Sequence, residues 1–288
     1  VRDSFRAKVD HFFYSKATRF KADDPTTSLR TTLFHLAHHR PKEMATQSPR
    51  YLKINKCPSC GYGPLTLEDK PEQQYCEKCK ARVYPTDVLR LWEEVMDHQT
   101  NLGAITRLML VIEHILPLHY IRRLANGTLA SLSKTAFFVD GPLAIFGVSA
   151  WLHASIMRYI SEINERLYEK HSSGLLMIGL QKTGQVIDHI KLIDRFIPNS
   201  RLFALDDEYR YKYVISSRNP SSNGFGFETY YGQDFIYKTE SGRTFVFALP
   251  YPFHTKSLNE GSFVKRKTNF EYYKTLHRAL ALINHFQT

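Results

Sequence analysis

The sequence predicts a mixed α/β (α+β) fold with a small zinc-binding module inserted into it. Short apolar runs alternate with helical patterns from residue 136 onward and lead into a hairpin pattern, which is typical of a sheet flanked by helices. All the cysteines of the chain fall in two Cys-x-x-Cys pairs. With 288 residues, 43% of them hydrophobic, the chain is long enough to bury a large core. We therefore expect an N-terminal helical part over residues 1–50, a zinc ribbon over 51–86 and the core over 87–288.

The N-terminal part shows two helical patterns, over residues 1–16 and 25–39. Asp24 suits the N-cap of the second helix, and Pro25 suits its first position, because a proline there lacks only a donor that the helix leaves unused. Short strand patterns then flank the first cysteine pair.

The four cysteines have the spacing of a zinc ribbon. Cys57 and Cys60 form one pair, Cys76 and Cys79 form the other, and fifteen residues separate the pairs. A two-residue spacer lets two thiolates reach one ion, so that two pairs complete a tetrahedral shell with no open position. A redox pair and two disulfides are the alternatives, but no βαβ pattern flanks the cysteines and nothing indicates an oxidising compartment. We expect structural zinc, which supplies much of the folding free energy of this module.

A long helical pattern follows the ribbon, from Asp87 to Leu124. Pro117 removes the hydrogen bond to the carbonyl of Glu113 and should bend the helix there, and Gly127 signals its end. Apolar residues recur at steps of seven, three, four, three and four, so one face is expected to be core: Val95, Leu102, Ile105, Met109, Ile112 and Leu116.

The rest of the chain alternates strands and helices before a hairpin. Strand patterns cover residues 136–139 and 175–180, and a hairpin covers 230–249 with its turn at 240–243. This order predicts one sheet with helices around it. The helical patterns lie at residues 150–170, at 187–196, from about 206, and at 270–286.

The net charge of +11 suits a polyanionic partner, because each phosphate that Lys or Arg neutralises releases condensed counterions. An ordinary basic, solvated surface is the alternative. No apolar run reaches the roughly 18 residues of a membrane helix, and the N-terminus lacks the pattern of a signal peptide. We therefore expect a soluble, cytoplasmic protein that contacts DNA and no membrane.

Asp140 and Glu113 are candidate catalytic and metal-binding acids. Asp140 ends an apolar strand and precedes Gly-Pro, which leaves its carboxylate at the sheet edge where open α/β sheets place their sites. Its alternative role is to form a turn. Glu113 lies in the most apolar part of the long helix, and the bend at Pro117 could aim it at the end of the Asp140 strand. Its alternatives are to reach solvent or to pair with Arg107.

Lys182 follows the strand over 175–180 as Asp140 follows its own strand, so both side chains could project from one sheet edge. A cation beside two carboxylates would hold a phosphate oxygen during metal-assisted phosphodiester cleavage. A lysine in such a loop is otherwise simply solvated. Asp206 and Asp207 are further candidate acids, and their simpler role is to cap the helix that follows them.

The run from Lys134 to Leu143, with the Glu113 helix before it and the strand that leads to Lys182 after it, resembles the NurA nuclease family in the order and spacing of its motifs. The resemblance covers roughly residues 89–252. It implies an RNase H-like sheet and a DNA nuclease that uses Mn²⁺ or Mg²⁺. It also implies a homodimer that works with a HerA-like hexameric ATPase in DNA-end processing, in repair or defence. In the family pattern Asp140 matches the Asp-Gly acid, Glu113 the helix acid and Lys182 the strand-end lysine.

The chain departs from the family pattern in three respects. The family's first metal-binding Asp has no counterpart in residues 1–133, a late Tyr and His pair is not matched by Tyr273 and His277, and the ribbon is additional to the family core. Because the sequence starts without methionine and ends directly after a helical pattern, we expect a piece of a longer protein that carries the missing groups. This piece alone should be inactive. A non-catalytic zinc-ribbon subunit that binds nucleic acid or acts as a scaffold is the alternative.

Overall fold

The computed structural model describes residues 1–41, 44–98, 100–171, 173–215, 224–257 and 262–286. The chain divides into two units, the first formed by Val1–Arg123 and Ile145–Ile156, the second by Leu124–Ala144 and Met157–Thr288. The mixed α/β class is confirmed: within the described ranges, the second unit contains a five-stranded mixed sheet and the first contains the clustered cysteines. The expected domain boundaries after residues 50 and 86 stay a prediction.

The first unit begins with two amphipathic helices. Helix α1 spans Arg2–Tyr14 and helix α2 spans Leu29–His38. Phe13 and Leu33 have no exposed surface, and such burial of large apolar side chains stabilises the contact between these helices. A buried ion pair ties α1 to the end of the ribbon, because Arg6 donates hydrogen bonds of 2.8 and 2.7 Å to the two carboxylate oxygens of Asp87.

The predicted helix over 25–39 begins later than expected. Asp24 does act as a cap, accepting a hydrogen bond of 3.0 Å from the backbone N–H of Thr26, but the turn that it caps is a 3₁₀ turn at Pro25–Thr27. Ser28 then caps α2 through the N–H of Thr31. A second capping side chain therefore restarts the helix.

The ribbon consists of two antiparallel hairpins. Strand β1, Tyr51–Ile54, pairs with β2, Leu65–Glu68, and β3, Gln74–Tyr75, pairs with β4, Arg82–Val83. The strands expected around the first cysteine pair are thus present.

The predicted long helix from Asp87 is wrong in its first part. Two 3₁₀ segments, Pro85–Leu89 and Leu91–Glu94, occupy this stretch, and Arg90 between them has a left-handed φ of 58°, which no α-helix tolerates. Helix α3 begins only at Leu102 and continues to Gly127, with Pro117 inside it.

The predicted core face of α3 is also wrong, although Val95 before the helix is buried. The helix carries a second apolar stripe, which includes Val111, Ile115, Leu118 and Ile121, and this stripe is the buried one. Because the helix has two apolar stripes, the spacing of its apolar residues does not determine which stripe packs against the core. The exposed residues of the other stripe are Leu102, Ile105, Met109, Leu116 and Tyr120.

The sequence analysis found no apolar run of membrane-spanning length. Helix α3 nevertheless has the length and the apolar composition that would allow it to cross a membrane, judged by these two properties alone. Core helices of soluble proteins can be equally long and apolar. In α3, 39% of the most apolar 18-residue part is buried.

The sheet of the second unit has the strand order β5-β6-β9-β8-β7. Strands β5 and β6 are parallel and the other neighbours are antiparallel. The strands are β5 Ala136–Asp140, β6 Leu176–Gln181, β7 Arg201–Ala204, β8 Gly232–Lys238 and β9 Thr244–Pro250. The helices after α3 are α4 Leu129–Leu132, α5 Leu152–His171, α6 Gln185–Ile193, α7 Asp207–Tyr209, α8 Ser262–Lys267 and α9 Leu276–His285.

Both faces of this sheet are covered. Phe235 and Phe247 stack with ring centroids 5.4 Å apart in the cluster that α9 completes. Their strand neighbours Ile236 and Val246 face the opposite side and pack with α6. The predicted hairpin is confirmed, β7 was not predicted as a strand, and the last helix begins at Leu276 rather than near residue 270.

Candidate metal centre and sheet-edge site

The four cysteine sulfurs lie where a tetrahedral zinc ion would place them. All are within 4.8 Å of one another, and two of the distances, Cys57 to Cys79 and Cys60 to Cys76, are 3.7 Å. A tetrahedron with Zn–S bonds of about 2.3 Å has edges of roughly 3.8 Å. A disulfide needs sulfurs about 2.05 Å apart, and all four thiols are free. The site therefore fits one structural zinc ion, and these four cysteines form no disulfide.

Matching turns build the two halves of the zinc site. The N–H of Gly61 donates to the carbonyl of Cys57, and that of Lys80 donates to the carbonyl of Cys76. Gly61 and Lys80 both have positive φ, of 73° and 58°, which returns the chain at the same point of each turn. Backbone N–H donation, chiefly from Cys79, lowers the pKa of the Cys76 thiol to about 7 and so favours the thiolate that zinc binds.

The second candidate site lies at the carboxyl ends of the parallel strands β5 and β6. Asp140 ends β5, and Lys182 follows β6. The Lys182 Nζ donates a hydrogen bond of 3.0 Å to Asp140 Oδ2, and the two side chains keep 70% and 59% of their surface exposed. The structure thus brings this predicted pair together at one sheet edge, with both groups open to solvent.

Local backbone geometry explains the position of Asp140. It pairs with Leu180 in the parallel register, and the next N–H, that of Gly141, donates to the Leu180 carbonyl at 2.7 Å. Gly141 has a φ of 106°, a value that only glycine adopts readily, and Pro142 follows. The chain therefore leaves the sheet abruptly and the carboxylate stays at its rim.

Glu113 belongs to the first unit, where it is half-buried on α3. Arg107, its suggested partner, donates to the carbonyl of Phe146 at 2.9 Å and has an ion pair with Glu94 at 3.8 Å. That Glu113 and Asp140 share a metal ion stays a prediction.

The other candidate acids have structural partners. Asp206 caps α7 by accepting a 2.7 Å hydrogen bond from the N–H of Tyr209, which confirms the simpler role. Asp207 is buried in an ion pair with Lys267.

A family model described as the NurA domain matches residues 65–274, which is more than half of the chain. The chain belongs to the NurA domain family. No curated protein and no solved structure gives a significant match.

NurA membership implies a nuclease-type function. The matched range contains the Asp140–Lys182 pair and Glu113, whereas Cys57 and Cys60 precede it, so the family match begins inside the ribbon.

Sequence reasoning missed the charged residues that are buried in the five-stranded sheet and in the segment that follows its strand β9. Asp234 on β8 is fully buried, accepting hydrogen bonds of 2.7 Å from Arg210 and 2.8 Å from Gln181. Lys256 is also buried and donates to the carbonyls of Gly226 and Phe227. Asp234 and Lys256 both lie in segments with an ordinary mixture of polar and apolar residues. Their burial becomes evident only from the contacts between segments that are distant in the sequence.

The sheet-edge site could provide one ligand of a divalent cation. A carboxylate is the hard oxygen donor that Mg²⁺ and Mn²⁺ prefer, and such ions are often bound by one or two carboxylates together with water and substrate phosphate. Among the described residues, only the ribbon cysteines bring three or more metal-ligating side chains together. Asp140 therefore offers one oxygen ligand, and Mg²⁺ or Mn²⁺ would need further ligands to be held there.

Proposed function

We propose that this protein is a divalent-metal-dependent nuclease that hydrolyses the phosphodiester bonds of DNA. One observation carries the proposal: the exposed carboxylate of Asp140 and the exposed ammonium of Lys182 lie 3.0 Å apart at the carboxyl edge of a parallel strand pair. This edge is where open α/β sheets bind their ligands. Membership of the NurA family and the net charge of +11 support the choice of DNA as substrate.

We assign the divalent cation to Asp140 and Glu113, and the scissile phosphate to Lys182. Mn²⁺ or Mg²⁺ bound there would polarise the phosphate and favour formation of hydroxide from water. Asp140 orients Lys182 through their hydrogen bond, so the ammonium is positioned to neutralise a phosphate oxygen.

Cleavage of a labelled DNA strand by the full-length protein in Mn²⁺ tests the proposal. We expect Asp140→Asn to reduce the cleavage rate by about 100-fold or more, and Lys182→Gln to reduce it by roughly 100-fold, because each removes a group aimed at the reacting phosphate. Asp188→Asn and Lys191→Gln are matched controls, since these residues form a similar exposed ion pair at 3.2 Å in the same unit. Wild-type cleavage by Asp140→Asn refutes the proposal.

The alternative of a non-catalytic ribbon subunit makes a different prediction. Such a protein would take up zinc but no manganese, and would show no cleavage that depends on Asp140. Manganese titration of the zinc-loaded protein, followed by electron paramagnetic resonance, distinguishes the two cases, because Asp140→Asn should weaken manganese binding only in a nuclease.

We further propose that the protein acts in the cytoplasm on DNA ends, in repair or defence, together with a HerA-like hexameric ATPase. The family resemblance is the support for this partner. Co-purification of the two proteins, with DNA digested beforehand, tests it. Loss of the complex on DNA digestion would mean that DNA alone connects them.

We also propose a homodimer formed through the exposed stripe of α3. Its five exposed apolar side chains recur over about 27 Å of helix, at 1.5 Å per residue, and the half-buried Glu113 lies on the same side of the helix. A two-fold interface places the same patch of each copy against the other, so a mostly apolar row is self-complementary where two chains of +11 would otherwise repel. A second copy is therefore the occupant that this face suits.

Light scattering after size-exclusion chromatography tests the dimer. Met109→Glu with Leu116→Glu should convert the dimer to a monomer, because charges would face charges across the helix pair. Leu192→Glu is the control, since Leu192 is 73% exposed on α6. A monomeric wild-type protein, or a dimer that survives both substitutions, contradicts the interface.

A further inference from the structure

A cavity of about 300 Å³ lies between α1 and the β3–β4 hairpin of the ribbon, wholly within the first unit. Its lining includes Tyr14, Tyr84, Arg30, Arg82 and Asp10. This volume is at the small end of the sites that hold ligands. It admits one unpaired base and excludes a duplex.

The register of the hairpin places an aromatic ring beside Arg82, which lines this cavity. Tyr75 and Arg82 are directly paired across β3 and β4, so their side chains lie on the same face, roughly 5 Å apart at Cβ. Both are exposed, Tyr75 by 54%, whereas Val83 on the opposite face is buried. Tyrosine rings and arginine planes are the surfaces on which unpaired bases stack.

Arg82 differs from the other arginines around the cavity. Arg6 has its ion pair with Asp87, and Arg30 has one with Asp69 at 3.2 Å. In the part of the chain that the structure describes, no carboxylate pairs with Arg82. Its guanidinium lies 4.7 Å from the centre of the Tyr84 ring, which fixes its orientation. Arg82 is therefore a positioned cation that a phosphate can approach.

Asp10 gives the cavity an acceptor where a base edge would lie. Thr86 Oγ1 is 3.4 Å from its carboxylate, and burial raises the pKa of Asp10 although Arg30 opposes this shift. The amino and imino groups of bases are donors that such a carboxylate accepts.

We propose that the cavity, with Arg82 in its lining and Tyr75 beside Arg82, binds one unpaired nucleotide of single-stranded DNA. The neighbouring base stacks on Tyr75, the phosphate pairs with Arg82, and the inserted base donates to Asp10. The inference deepens the proposed nuclease function, on which the choice of DNA rests, by adding a grip for single strands in the ribbon.

We expect this grip to require zinc, because an ion held by the four cysteines would fix both strands of the hairpin. Tyr75 immediately precedes Cys76, and Arg82 lies three residues after Cys79. The N–H of Cys76 also donates to the carbonyl of Ala81 at 2.9 Å, which closes the hairpin between the two ligands. The binding experiment therefore uses the zinc-loaded protein.

Fluorescence anisotropy with a labelled single strand, without Mn²⁺ or Mg²⁺, measures binding apart from cleavage. We expect Arg82→Gln and Tyr75→Ala each to weaken binding by about tenfold, and Tyr75→Phe to restore it, because stacking needs only the ring. Arg50→Gln and Tyr51→Ala are the matched controls, which remove the same groups from the other hairpin and should change the affinity by less than about twofold. Duplex binding should be equal in all five variants.

The proposal is overturned if Arg50→Gln and Tyr51→Ala weaken single-strand binding as much as Arg82→Gln and Tyr75→Ala do. A parallel loss of duplex affinity also overturns it. Zinc content and circular dichroism of each variant confirm folding, and all four substituted side chains are exposed. Photo-crosslinking of a 5-iodouracil strand provides a second measurement: an adduct within residues 71–85 supports the site, and adducts confined elsewhere refute it. Repeating the binding measurement with Asp140→Asn separates failure of this inference from failure of the proposed nuclease function. The cavity can fail to bind single strands while cleavage still depends on Asp140. Conversely, binding at the cavity can persist although cleavage does not depend on Asp140.

Discussion

The ribbon and the five-stranded sheet are stabilised in opposite ways. The ribbon gathers four sulfurs from residues 57–79, and the strands of its second hairpin, β3 and β4, have only two residues each. The sheet instead joins segments from residues 136 to 250, with apolar side chains on both faces and charges buried among them. The comparison teaches that metal bonds can replace a hydrophobic core locally, whereas a large sheet depends on contacts between distant parts of the chain.

Zinc removal should have the largest effect and should separate the two regions. A structural zinc site is worth about 10–16 kcal/mol in small peptides, so the ribbon should unfold when a chelator removes the metal. Hydrogen exchange measured by mass spectrometry should then lose protection over residues 51–84 and keep it over β8 and β9. Cys76→Ser should reproduce this pattern, and Ser59→Ala, at an exposed non-ligand position in the first turn, should not. A ribbon that stays protected without zinc contradicts the comparison.

Breaking the buried ion pair of the sheet should have the next largest effect. Asp234→Ala leaves the Arg210 guanidinium buried without its carboxylate, and the two side chains are only 0% and 4% exposed. The free energy of unfolding should fall by about 3–5 kcal/mol. Denaturant titration measures this, and Asp188→Ala, which breaks an exposed pair, should cost less than about 1 kcal/mol. Similar losses in both variants would mean that burial of the pair adds nothing.

The same contrast explains what the sequence could predict. The zinc site follows from cysteine spacing, because its ligands are close in the chain. The Asp140 and Lys182 pair could be predicted because both follow apolar strand patterns, and parallel strands bring their ends together. The buried face of α3 could not, since the helix has two apolar stripes and only tertiary packing chooses between Val111 and Met109. The partners of Asp234 likewise come from segments that the sequence does not connect.

A smaller effect should come from the buried lysine beside the sheet. Burial lowers the pKa of Lys256 to about 7, and the charge of Lys267 contributes to the shift. Because an unfolded lysine titrates near pH 10.4, the unfolded state binds more protons between about pH 7 and 10, and stability should rise with pH across this window. Below about pH 7 both states are protonated, so stability no longer changes with pH through this lysine and the cost of burying its charge is fully present.

Lys256→Met should remove that rise. Methionine loses the hydrogen bonds to Gly226 and Phe227 but carries no charge to bury. The stability of the variant relative to wild type should therefore fall by roughly 1–3 kcal/mol between pH 6 and pH 9. Denaturant titrations at both pH values measure the difference, and Lys265→Met, at an exposed lysine, should show none. A pH-independent difference would contradict a lowered pKa.

The smallest expected effect on stability is at the proposed catalytic edge. The ion pair of Asp140 and Lys182 is mostly exposed, and exposed pairs contribute about 0–1 kcal/mol. Asp140→Asn should therefore change the free energy of unfolding by less than about 1 kcal/mol, and a double-mutant cycle with Lys182→Gln should give a coupling of the same size. A loss above about 2 kcal/mol would instead make the pair a structural clamp. A small loss of stability with a large loss of cleavage would place the function of the sheet at its rim, where the charges stabilise it least.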